Sequence, residues 1–159
     1  MGQRYGIKCS KCDYTKLINL GIGMMYSPNH VFYRGYYKES DKPLLESLVK
    51  SKKIKEYAFN LIENGGQPSD DYGNSIYLCT KCGKLYTRFH FSIENSDEKY
   101  EPKYCCSKCK RVLTRVKLSE NKGLLKLMTI NDELIRWECP KCGNDKLEYD
   151  FSLGLIMWD

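Results

Sequence analysis

Eight of the nine cysteines in this 159-residue chain fall in four Cys-x-Lys-Cys tetrads: Cys9-Ser10-Lys11-Cys12, Cys79-Thr80-Lys81-Cys82, Cys106-Ser107-Lys108-Cys109 and Cys139-Pro140-Lys141-Cys142. Two thiols three positions apart on a tight turn can grip one tetrahedral ion. Four such pairs therefore supply the ligands of two four-cysteine zinc sites. A four-thiolate site has no open coordination position at which water or substrate could be activated, so the expected metal role is structural. The lysine repeated in each tetrad (Lys11, Lys81, Lys108 and Lys141) is expected to offset the residual negative charge of zinc held by four thiolates. Cys105 is the odd thiol. It could replace Cys106 only by stretching the spacing to three intervening residues, so it is expected to be a core thiol or a reactive spare.

The residue after each tetrad bears on turn geometry. Gly83 and Gly143 can take positive φ freely, Asp13 at modest cost, and Lys110 is the least suited, so the third tetrad is the one expected to be distorted. The intervening lengths are 66, 23 and 29 residues. Sequential pairing (first with second, third with fourth) and nested pairing (second with third, inside first with fourth) differ by only about 0.1 kcal/mol in loop-closure entropy. Strand order favours the sequential scheme, in which both units read tetrad, strand, insertion, strand, tetrad.

Strand-like runs flank the tetrads. Residues 84 to 93 place Leu85, Phe89, Phe91 and Ile93 on one parity, and residues 111 to 118 alternate similarly. Ser75 to Leu78 enters the second tetrad and Leu134 to Trp137 the fourth. Between the first two tetrads, Ser40-Asp41-Lys42-Pro43 reads as a helix start. The apolar stripe of Leu44, Leu45, Leu48 and Val49 is out of phase with Ile54, Tyr57, Ala58, Leu61 and Ile62, so two short helices are expected, broken at Ser51-Lys52-Lys53 and stopped by Gly65-Gly66. The expected fold is α+β: two zinc-ribbon β-hairpin units with a short helical insertion at about 43–64. Polar residues 94 to 102 are expected to separate an N-terminal ribbon (1–95) from a C-terminal ribbon (100–159) whose apolar tail is a closing strand on the core or an exposed docking segment.

The formal charge is +6. Eight thiolates on two zinc ions reduce it to +6 − 8 + 4 = +2. Residues 101–130 still carry eight bases against two acids, and residues 131–159 three bases against seven acids. Lys110, Arg111, Arg115 and Lys117 are thus a candidate phosphate-binding face, with the bland alternative that they offset the thiolates and the acidic tail. Arg34, Tyr36 and Tyr37, in a segment that also holds Tyr26, Phe32 and Tyr33, could stack bases or anchor a protein, or could simply fill the core beside the helices. His30 reads as a loop residue and His90 as a packing residue; neither lies in a nucleophile or metal-hydrolase spacing. The chain shows no export signal and no run of about 18 apolar residues, so a reducing cytoplasmic setting without a membrane span is expected.

The stretch Leu20-Gly21-Ile22-Gly23-Met24, the ribbon motif Cys139-Pro140-Lys141-Cys142-Gly143 and the terminal Trp158-Asp159 resemble small zinc-ribbon proteins of unassigned function from Gram-positive bacteria. That resemblance implies a bacterial protein whose last two tetrads share one ribbon, and it implies no activity. The function expected is a noncatalytic binding or adaptor protein with two structural zinc ions, recognising a protein or a nucleic acid. The competing expectation is redox chemistry, through rubredoxin-like iron held by four cysteines or through Cys-x-x-Cys dithiols.

Overall fold

The computed structural model describes residues 2–35, 38, 42–96, 98–121, 124–153 and 156–158, the side chains of 121 and 156–158 excepted. In chain order the elements are β1 (Gly2–Cys9), β2 (Thr15–Leu20), α1 (Pro28–Phe32), α2 (Leu45–Leu48), α3 (Lys52–Glu63), β3 (Gln67–Pro68), β4 (Gly73–Leu78), β5 (Leu85–His90), β6 (Ile93–Glu94), β7 (Lys99–Tyr100), β8 (Thr114–Asn121), β9 (Leu124–Thr129), β10 (Leu134–Ile135), β11 (Leu147–Asp150) and β12 (Ile156–Trp158). A single 3-10 turn, Phe151–Leu153, links the last two strands.

Mixed α and β content matches expectation, but the strands do not form two separate ribbons. One large antiparallel sheet runs β12-β1-β11-β9-β8-β4-β5, with β2 on β1 and β10 on β9. Its order interleaves strands from both sides of residues 94–102: β1 pairs β11, and β4 pairs β8. The sheet also bends back on itself. Beyond β2, Gly21 exchanges both backbone hydrogen bonds with Asn74 of β4, at 2.9 and 2.8 Å, which nearly closes a barrel. The backbone at Gly73 favours glycine, since its φ is 149° and a Cβ would lie 3.1 Å from the Gly21 carbonyl oxygen. The tail expected to close the sheet does so, with β12 along the start of β1.

Alternation decides which side chains enter the curled sheet: Leu125 and Leu127 are buried while Leu124 and Lys126 face water. Ile7, Ile18, Ile76, Leu78, Leu127 and Trp137 form the centre of that core. A second core lies between the helices and the end of β5. There Val31, Phe32, Leu45 and Ala58 meet Phe89, Phe91 and Ile93. Phe32 stands edge-on to Tyr72, and Tyr26 edge-on to Phe89. The aromatics at 26, 32 and 33 therefore fill core, the blander of the two alternatives, whereas Tyr36 and Tyr37 lie outside the described residues.

Local chemistry sets the helix limits. Ser51 caps α3 by accepting from the Ile54 N–H, which places the break where the change of apolar phase predicts it. Gly65, at φ 92°, and Gly66 return their N–H groups to Ile62 and Leu61, a Schellman ending. The helix start expected at Ser40 and Asp41 falls outside the described residues. Helix α1 is an addition to the expected elements: Ser27 caps it and Pro28 occupies its first turn, so His30 is helical rather than in a loop. Because Phe91 is fully buried between the helices and the sheet, Phe91→Ala should cost about 3–5 kcal/mol in urea unfolding of the metal-loaded protein. The exposed Leu134→Ala, at 65% exposure, should change it by less than about 0.5 kcal/mol.

Candidate metal centres

The eight tetrad cysteines gather into two groups, each with its four Sγ atoms within 4.8 Å of one another. Cys9, Cys12, Cys139 and Cys142 form the first; Cys79, Cys82, Cys106 and Cys109 form the second. This is the nested scheme, and it corrects the sequential pairing favoured by strand order. The reason is register. Cys9 ends β1 opposite Leu147 of β11, the strand that leaves the fourth tetrad. Leu78, just before Cys79, lies opposite Thr114 of β8, the strand that leaves the third. In each centre, then, the strand entering one cysteine turn pairs with the strand leaving the other.

Sulfur spacing fits one tetrahedral ion per group. A metal–sulfur bond of about 2.3 Å implies neighbouring sulfurs about 3.8 Å apart. The measured separations are 3.6 Å for Cys9–Cys142 and for Cys12–Cys139, and 3.8 Å for Cys82–Cys106. Cys105 is not in either group; it is exposed and bridges Val112 by backbone, so it is not a core thiol.

All four cysteine turns close with the same outer bond, from the first cysteine N–H to the carbonyl five residues on, at 2.8–2.9 Å. Three add an inner bond, from Gly83, Lys110 and Gly143 back to Cys79, Cys106 and Cys139, each 2.9 Å. Those three residues have positive φ: 67°, 58° and 74°. Lys110 thus takes the left-handed conformation that its side chain disfavours, held there by both bonds. Cys9–Cys12 is the turn that departs from the pattern.

Neighbouring donors support the sulfurs. The Lys11 N–H and the Asn144 amide both point at Cys9 Sγ, at 3.5 Å, and Asn144 also donates to Ser10 Oγ and the Lys146 carbonyl. In the second centre the Cys109 N–H reaches Cys106 Sγ at 3.3 Å and the Tyr86 hydroxyl lies 3.2 Å from it. The Tyr86 hydroxyl and the Cys109 N–H bring the Cys106 thiol down to about 6, while burial pushes Cys82 up to about 12. Four like charges packed this closely repel, so without a cation some thiols ionise and others retain the proton. Lys141 is ion-paired with Asp13 across the first centre, so part of its charge is spent on a carboxylate rather than on thiolates. Sequence reasoning missed Asn144, Tyr86 and Asp13 as supports because each becomes one only through long-range pairing.

The two centres approach each other at Gly83. Trp137 donates its indole N–H to the Gly83 carbonyl at 2.9 Å, and a Cβ on Gly83 would lie 2.0 Å from the Glu138 carbonyl. One turn of the second centre is therefore pressed against the strand entering the fourth tetrad.

The proposed phosphate face is partly neutralised. Arg115 makes a two-pronged pair with Asp71, at 2.8 and 2.9 Å, and Lys117 pairs with Asp132 at 2.6 Å. The Arg115 guanidinium holds the Asp71 carboxyl down to about 2. His90 is buried, as expected; its Nδ1 lies 3.1 Å from the Tyr77 hydroxyl and its Nε2 faces Asp71 at 3.3 Å. Burial, with Arg115 nearby, lowers the affinity of that ring for a proton. Lys110, Arg111 and Arg34 are exposed. Among the described residues no helix is long and apolar enough to cross a membrane. Comparison of the chain with known protein families, with curated proteins and with solved structures finds no match.

Gly83 and Gly143 provide a matched test of the contact between centres. Both have positive φ, but only Gly83 has backbone where a Cβ would go. Gly143→Ala should lower the melting temperature by about 3 °C, whereas Gly83→Ala should lower it by about 10 °C or more. Equal effects in thermal melts of the loaded protein would contradict a close approach of the two centres at Gly83.

Proposed function

We propose that this protein is a noncatalytic zinc-binding module, with one structural zinc in each four-cysteine group, that presents its surface to a macromolecular partner. The observation carrying this reading is the ligand chemistry. Each group consists of four thiols and no histidine or carboxylate, spaced for a tetrahedral ion. Soft thiolate donors in a tetrahedron favour zinc in a closed site, and such a site supplies folding energy instead of an open coordination position. Cysteines grouped as metal ligands rather than as disulfide pairs fit the cytoplasmic setting expected of the chain. The resemblance to small Gram-positive zinc-ribbon proteins agrees with metal binding, but its implication that the last two tetrads share one ribbon is corrected, because the fourth tetrad clusters with the first and the third with the second.

Partner recognition rests on the exposed side chains that have no structural duty. Arg115 and Lys117 are committed to Asp71 and Asp132, which leaves Lys110 and Arg111 as the exposed remainder of the four-residue candidate phosphate face.

Elemental analysis of the purified protein should give two zinc ions per chain and a colourless solution. A red preparation containing iron would instead support the redox alternative. Stripping both ions should unfold most of the chain, since an assembled four-cysteine site supplies on the order of 10 kcal/mol in small zinc peptides. Retained amide dispersion after chelation would contradict the structural role of the metal.

A further inference from the structure

We propose that the cavity bounded by Lys50, Arg88 and Lys103 binds the phosphate of a nucleotide, either free or within a single nucleic-acid strand. This names the ligand chemistry of the binding module and rests on that reading. The cavity holds about 400 Å³ between the α2–α3 connection, β5 and the segment entering the third tetrad. Each of these three segments contributes one cation, and no aspartate or glutamate lines the space. Lys50, Arg88 and Lys103 also make no ion pair among the described residues.

Charge balance distinguishes this cavity from the others. In the cleft beside Arg115 and Lys117, Asp71 is itself part of the lining and Asp132 takes the lysine. The open hollow on the outer side of α3 sets Lys53, Lys99 and Lys103 against Glu56 and Glu101. The hollow beside α3 keeps one base in excess and shares Lys103, whereas the cavity around Lys50, Arg88 and Lys103 is the one of these three with no acid in its lining. Three cations exceed what one carboxylate ligand would neutralise, whereas a phosphate carries up to two charges and several acceptor oxygens.

Arg88 is already positioned. Its guanidinium lies 5.1 Å from the centre of the Tyr86 ring and donates to the Thr87 carbonyl at 2.9 Å. The Tyr86 hydroxyl in turn touches Cys106 Sγ, so the second metal centre fixes this side of the cavity. Val49, Ile54, Phe89 and Tyr104 give the wall an apolar side, and Ser51, Asn74 and Thr87 add polar groups beside it. The Tyr104 hydroxyl is satisfied by the Phe89 carbonyl at 2.5 Å, which leaves the ring as an apolar surface. A volume in the usual range for small-molecule sites, with a cationic side and an apolar side, suits a nucleotide better than a hydrated inorganic anion.

The test is a binding titration of the zinc-loaded protein with AMP, with adenosine as the phosphate-free control, and with a 5′-phosphorylated single-stranded oligothymidine. The expected result is binding of AMP, of the oligonucleotide, or of both, with adenosine at least about tenfold weaker than AMP wherever AMP binds. AMP alone would identify a free nucleotide, and the oligonucleotide a strand, as the phosphate source. Lys50→Gln/Lys103→Gln, both exposed, should weaken the bound probe about tenfold at constant zinc content, and adding Arg88→Gln should weaken it further. For the oligonucleotide the salt slope should fall by about 0.7 for every phosphate no longer neutralised. Lys126→Gln, exposed on β9 and outside the cavity lining, should leave affinity for either probe unchanged. Unaltered affinity in the Lys50/Lys103 variant, with the wild type binding the oligonucleotide, overturns this site while leaving the nucleic-acid form of the binding module standing. Absence of binding to every phosphorylated probe overturns the site and confines the module to a protein partner, which capture on the immobilised loaded protein would test separately.

Discussion

Four thiols cannot remain packed as thiolates within 4.8 Å unless a cation sits among them, and the rest of this structure depends on that constraint being met twice. Each cation would tie together segments far apart in sequence: Cys9 and Cys142 are separated by 133 positions, and Cys82 and Cys106 by 24. The long closure brings β1 beside β11, and the short one brings β4 beside β8. Once both are in place, β9 completes the sheet between β11 and β8, and Gly21 against Asn74 draws its far side round. The apolar core inside is enclosed by strands that pair beside the two four-cysteine groups.

This arrangement also explains how the surface divides. Positive charges near the sheet seam are consumed locally, Arg115 by Asp71 and Lys117 by Asp132, so the sequence excess of bases overstates the free charge there. Tyr86 reaches from Cys106 of the second four-cysteine group to Arg88, a cation without an ion pair among the described residues.

The ligands and several local elements are legible in the sequence because their signals are local. Cys-x-Lys-Cys spacing identifies the eight thiols that cluster, and the phase change at Ser51 locates the helix break. The pairing of the tetrads is not legible. Closure entropies are nearly equal, and β1 hides its role: Gly2, Gly6, Ile7 and Cys9 are buried without strict alternation, since this strand pairs with β2, β11 and β12. Gly6 is small because a Cβ there would meet Leu153 and Asp150, neighbours supplied by the far end of the chain. Lys110 carries the opposite lesson. Propensity disfavours its φ of 58°, but the two hydrogen bonds of a cysteine turn override it. Ser27-Pro28 is a local helix signal that reads equally well as a turn.

The most direct measurement of nested pairing is the number of chelator-resistant zinc ions in the double variant Cys12→Ser/Cys142→Ser. Both substitutions fall in one four-cysteine group, so the other group keeps all its ligands. Nested centres predict one tightly held zinc per chain, and the complementary variant Cys82→Ser/Cys109→Ser should also retain one. If the tetrads paired sequentially, each double variant would damage both sites. Loss of both ions to a competing chelator in either variant, with two retained by the wild type, would contradict the nested centres on which the fold is built.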